Sequence, residues 1–226
     1  MLICEVSPLE RHMIFGAGKG IFPKLTAKDA PPTLSRNSSG LNQFCSVLQT
    51  YQDLSVLDMS GASQANITFV TGYGHRISSD DIVGTMGECF GKDLLEGQQA
   101  ASNAQRFLDQ SLTFADNSFD GILVWDALQF LASPLIEQTV AQLLRVMRPG
   151  GQMLVFFNSQ EKAARLPVYM YRIQDQKSLT QIPRPGSTYQ RSQYFNNRNL
   201  EKLFEHASSI KFFLTRDHLR ELIVHK

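Results

Sequence analysis

Four aspartates, a cluster of tyrosines and one turn of very small residues hold the chemistry open to this chain. Residues 54–69 read LSVLDMSGASQANITF: an apolar run, Asp58 at its end, then Ser60, Gly61, Ala62 and Ser63 before a helical start. A short buried strand over 55–57 followed by a helix places that turn at the carboxyl end of the strand, where open α/β sheets bind ligands. Side chains this small let a ligand approach the backbone, and Ser63 or a neighbour can cap the helix. A plain packing turn uses the same residue types, so the stretch takes its meaning from what lies downstream.

Asp80 lies 22 positions after Asp58, at the end of a second short run, HRISS over 75–79. An acid about 20 residues past such a turn commonly accepts the hydroxyl hydrogens of a nucleotide ribose. The bland alternative is a pair of solvated loop acids, Asp80 and Asp81, or a cap for a helix from Ile82. Residues 106–108 read as a brief third strand ending at Asp109 and Gln110. Residues 119–125, FDGILVW, read as a strand buried on both faces that delivers Trp125 and Asp126 to the same end of a sheet. No Ser/His/Asp order, metal-ligand spacing or carboxylate dyad stands out as a rival chemistry.

The elements that must position these groups follow from punctuation and period. Residues 41–51 form one helical stripe through Leu41, Phe44, Cys45 and Leu48, with Ser38 or Ser39 as cap. The tract DLLEGQQAASNAQ reads as helical from Asp93. Ser133 and Pro134 read as cap and first residue of a helix whose last turn holds Arg145 and Arg148, stopped by Pro149, Gly150 and Gly151. Residues 153–157, MLVFF, are then a buried strand, so strand, helix and strand make a right-handed parallel unit. Residues 160–198 carry Tyr169, Tyr171, Arg172 and a Pro183 to Gly186 break, and read as an irregular or hairpin insertion over one end of the sheet. A helix over 199–206 and an antiparallel pair of strands over 209–214 and 219–225 close the chain. Residues 1–40 have loop composition and form an N-terminal arm, leaving 41–226 as one α/β domain.

Composition narrows the classes. Of 226 residues 42% are hydrophobic and 19% charged, which is globular rather than disordered or membrane-spanning. A net charge of +1 gives no strong nucleic-acid signal, and no run suits a membrane span. Cys4, Cys45 and Cys89 are odd in number and widely spaced, which suits a reducing, cytoplasmic setting rather than a disulfide framework.

In the order of its elements the chain resembles the class I S-adenosylmethionine-dependent methyltransferases. The resemblance rests on VLDMSGAS, FADNSFDGILVWDAL and LLRVMRPGGQMLVFF, and covers roughly residues 41–160 and the final 28. It implies a Rossmann-like, doubly wound sheet of seven strands, mostly parallel with the last antiparallel. It implies S-adenosyl-L-methionine as cofactor, held by Asp58, Ser60, Gly61 and Ala62 at its methionine end, Asp80 at the ribose, and Asp109 and Gln110 at the adenine. Trp125 would pass beneath the sulfonium, and Asp126 would orient a small or medium methyl acceptor, with Tyr169, Tyr171 and Arg172 as the acceptor wall. The family usually carries DxGxG, whereas Ser60 and Ala62 occupy the two glycine positions here. A β-carbon forced to positive φ costs about 1–2 kcal/mol, so a second reading is a methyltransferase-like fold that serves as a catalytically inactive binding or regulatory module. A third, a nicotinamide dehydrogenase, lacks the GxGxxG that pyrophosphate approach requires.

Overall fold

A computed structural model describes residues 32–215 and 217–226, so most of the N-terminal arm lies outside the described residues. A six-stranded sheet organises the rest, in the order β3-β2-β4-β5-β9-β8. Its parallel strands are β2 (Ser55–Asp58), β3 (Arg76–Ser79), β4 (Phe119–Trp125) and β5 (Met147–Asn158); β9 (Leu219–His225) runs antiparallel to β5, and β8 (Ser209–Leu214) antiparallel to β9.

The period-2 alternation of strand side chains divides the core in two. Leu57, Ile122, Val124, Met153, Val155, Leu222 and Val224 face one way, against α3 (Ile82–Phe90), α5 (Ala101–Gln110), α6 (Leu135–Val146) and α7 (Asn197–Leu203). Val56, Leu123, Trp125, Leu154, Phe156 and Ile223 face the other way, against α1 (Ser39–Thr50), α2 (Gln64–Gly72) and a second sheet. That second sheet has three antiparallel strands in the order β1-β7-β6: β1 (Leu34–Asn37), β7 (Ser178–Gln190) and β6 (Arg165–Ile173). The insertion is therefore a β-hairpin, extended by a strand from the segment read as arm.

Two expectations fail here. Seven strands become six, because residues 106–108 lie inside α5 rather than in a strand. The Ala-rich stretch around them favours helix, and Phe107 gains full burial on Phe90, ring centroids 5.2 Å apart, from a helical face. The helix expected from Asp93 also breaks: Asp93 caps only a single turn, α4 (Leu94–Gly97), through Leu95 N and Glu96 N at 3.1 Å. Elsewhere the differences are small. Pro134 is the cap residue of α6 rather than its first residue, and the Pro149 to Gly151 stop lies within β5 as an irregularity of its pairing with β4.

Helix α1 reaches the sheet because β4 carries a glycine opposite it. A β-carbon on Gly121 would stand 2.7 Å from Phe44 Cζ and 3.2 Å from its Cε2. Phe44 is 1% exposed and cannot retreat. Gly121→Ala is therefore expected to lower unfolding stability by about 1–3 kcal/mol through overpacking, read as a lower denaturation midpoint in urea.

Candidate functional site

Strand order reverses between β2 and β4, the place where an open α/β sheet ordinarily leaves a crevice beyond the carboxyl ends of its strands. Asp58 ends β2 and Trp125 ends β4, so the two side chains meet at one point. Asp58 is 0% exposed. Its Oδ1 accepts from Ser60 N (3.0 Å), Ser60 Oγ (2.8 Å) and Trp125 Nε1 (2.8 Å), and its Oδ2 from Asn66 Nδ2 (2.6 Å). Burial raises the Asp58 carboxyl above the usual range, against the pull of these donors.

Aromatic side chains fill the space above this carboxylate. Tyr171, from β6, stacks parallel on Trp125 with centroids 4.7 Å apart, and Phe156 meets both edge-on. Trp125 and Tyr171 are each 1% exposed. Trp125 holds φ at 58°, a left-handed conformation that a bulky residue keeps only where its surroundings fix it. Asn66, on α2, fastens the hairpin over the corner: its Nδ2 also donates to Tyr171 O (3.0 Å), and its Oδ1 accepts from Ile173 N (2.8 Å). Asn66 was not singled out from sequence, although a lone amide on the inward face of a helix eight residues past a buried acid is a readable signal.

The small turn is stitched to its neighbour. Ser60 forms an antiparallel bridge with Asp81, and Gly61 N donates to Asp80 O at 2.9 Å. Within this turn positive φ falls on Gly61, at 87°, so Ser60 and Ala62 carry no left-handed penalty. Ser63 stands at the α2 cap position, but its hydroxyl makes no capping bond. Asp81 caps α3 through Gly84 N (2.9 Å) and is gripped by both terminal nitrogens of Arg184 from β7, each at 2.9 Å. The helix-cap alternative thus describes Asp81. Asp80 is half-buried, accepts from Leu112 N at 3.4 Å, and is raised chiefly by burial.

The remaining candidates separate. Asp109 lies on the exposed side of α5 and accepts from Gln105 Nε2 (2.8 Å), while Gln110 Oε1 accepts from Cys89 Sγ (3.3 Å). Arg172 points to solvent on β6. Asp126, by contrast, is 4% exposed and lines a cavity of about 280 Å³ with Tyr169, Tyr171, Gln129 and Gln181. Burial pushes its carboxyl up to about 7, offset in part by the Tyr171 hydroxyl.

Comparison with known proteins follows this geometry. Residues 57–155 match the family model described as a methyltransferase domain. No curated protein matches the chain. A S-adenosylmethionine-dependent methyltransferase from Methanosarcina mazei is similar over 80% of this chain and 96% of its own, at 13% identity and a TM-score of 0.47. The 1,6-didemethyltoxoflavin N1-methyltransferase of Burkholderia thailandensis, solved with 1,6-didemethyltoxoflavin and S-adenosylhomocysteine, is similar over 82% and 76%, at 15% identity and a TM-score of 0.44. A S-adenosylmethionine-dependent methyltransferase from Mesorhizobium loti covers 81% and 96%, at 10% identity and a TM-score of 0.48.

Two stability measurements test the site. Trp125→Phe removes one donor from a fully buried carboxylate and is expected to cost about 1–3 kcal/mol in denaturant unfolding. Asp126 has a folded value, about 7, above the ordinary carboxyl value of 3.8. The native chain therefore binds the extra proton between them, and this group's contribution to stability falls as pH rises from about 4 to about 7. Asp126→Asn should melt higher than the parent at about pH 8 and converge with it near pH 4.

Proposed function

From a segment, residues 57–155, that belongs to the class I S-adenosylmethionine-dependent methyltransferases, we propose a domain that keeps the fold, gives its donor corner over to core, and works by binding a small molecule beside that corner. The cofactor of the family is S-adenosyl-L-methionine. Its amino-acid end calls for an acid and free amides, its ribose for a second acid, and its sulfonium for a dry gap beneath the end of β4.

One observation carries the proposal. Asp58 is wholly buried, and its two oxygens already accept from four donors of its own chain. Its neighbours agree: Trp125 and Tyr171 stack in the place that the resemblance gives to the sulfonium, and the Ser60–Asp81 bridge joins the two turns that would flank the donor. The side chains as arranged do not fit the donor. Admitting it would re-expose two aromatic side chains of about 150–250 Å² each, at about 25 cal/mol per Å², hence about 8–12 kcal/mol. Micromolar binding supplies only about 8 kcal/mol.

A second reading is methyl transfer to a small or medium acceptor, favoured by Asp80 standing just past the end of β3, beside the same corner. Such transfer draws its rate from orientation and desolvation, with Trp125, Asp126 and the acceptor wall of Tyr169, Tyr171 and Arg172 as its candidate residues.

Calorimetry with S-adenosylmethionine separates the two. The first reading expects no heat at ~1 mM donor with folded protein, and no adenosyl compound in a mass spectrum of molecules released from purified material. Micromolar donor binding would overturn it in favour of methyl transfer.

A further inference from the structure

We propose that the crevice beneath the β6–β7 hairpin binds a small organic cation of single-ring size, its nitrogen seated on Asp126 and its body against the rings of Tyr169 and Tyr171. This deepens the binding-module reading by naming the ligand class, and it rests on that reading.

The crevice is built by both sheets: Asp126 follows β4, Gln129 lies on the turn after it, Tyr169 and Tyr171 come from β6, and Gln181 from β7. Its volume, about 280 Å³, is close to the lower bound of ordinary ligand pockets, about 300 Å³. A single ring with a short side chain fills such a space.

Charge pairing within this wall is uneven. Three basic side chains line the crevice: Arg36 is engaged by Asp217 at 2.7 Å and Glu221 at 2.9 Å, while Arg165, which donates to Thr188 O at 2.8 Å, and His218 are both exposed; Arg184 nearby is engaged by Asp81. Among the described residues no cation forms a salt bridge with Asp126; its side-chain hydrogen-bond partners are neutral, Gln129 Nε2 at 3.4 Å and the Tyr171 hydroxyl, and Arg184 acts on it as a charge beyond ion-pair distance. A carboxylate this deeply buried, with two neutral side-chain partners where Asp58 has four donors, is the one that gains from a positive charge beside it. Tyr169, only half-buried, offers its ring to a cation at that corner, while Tyr171, with one face stacked on Trp125, meets Tyr169 edge-on at 6.4 Å between centroids and 64° and closes the wall. An anion drawn in past the exposed Arg165 and His218 would meet the buried Asp126.

The chain carries its own reporter, because its single tryptophan, Trp125, stacks on the cavity-lining Tyr171. The full chain is titrated with benzylamine, and with benzyl alcohol and benzoate as neutral and anionic matches, by tryptophan fluorescence and by calorimetry. Benzylamine is expected to bind at least about tenfold more tightly than either match. Asp126→Asn should abolish that preference, and Tyr169→Leu should weaken the amine about two- to fivefold. The proposal is overturned by equal affinity for benzyl alcohol, by an amine preference that survives Asp126→Asn, or by no response at ~10 mM amine. Should Asp126→Asn fail to fold, the amine-to-alcohol ratio in the parent and in Tyr169→Leu decides alone. S-adenosylmethionine is titrated in parallel. Donor binding sinks the preceding reading whatever the amine does, whereas silence toward both donor and amine sinks only this one.

Discussion

A carboxylate with no access to water must be satisfied by its own protein, and the arrangement around Asp58 follows from that demand. Ser60 serves it from the turn, Asn66 from α2 and Trp125 from the neighbouring parallel strand. These donors come from three elements, so the corner ties β2, α2 and β4 together where the topology would otherwise leave a gap. The ring of Trp125 then needs an apolar roof, which Tyr171 and Phe156 supply.

The hairpin is consequently part of the core rather than a cover laid over it. Asn66 binds the β6 backbone on both sides of Arg172, and Arg184 reaches from β7 to the acid that caps α3. The carboxyl ends of β2 and β3 are where an open α/β sheet offers a ligand site. Here each is closed by a bond to the second sheet or to the adjoining turn. What stays open is displaced by one strand, to the carboxyl ends of β4 and β5, where Asp126 and the tyrosines lie.

Much of the fold was legible in the sequence, because strands buried on both faces and helices with a strict apolar stripe announce themselves. Residues 119–125 and the final two strands were read at the bounds they adopt, and Ser38 caps α1 through Leu41 N. The missing strand was not legible, since three residues such as Arg106, Phe107 and Leu108 suit either period, and only the aromatic packing of Phe107 on Phe90 decides. At the site, Asp58, Trp125 and Tyr171 were each singled out, but not that they touch. Their contact depends on a hairpin whose register brings position 171 over position 125, 46 positions apart in sequence, and local spacing carries no such information. Asp109 lies apart from this corner for the same reason that the strand is missing: on a helix it turns outward.

Glu221 shows what this architecture asks of the newly made chain. Its carboxylate, wholly buried in β9, accepts from Arg36, Ser38 Oγ and Gly40 N, so the strand next to last in the sheet order completes the start of α1 and anchors β1. Those partners are synthesised more than 180 residues earlier. Until β9 emerges, the opening turn of α1 has an unanswered amide, and β5 has a bare edge. Both invite the wrong neighbour during translation, so the domain closes late and as a whole rather than growing from its amino-terminal side.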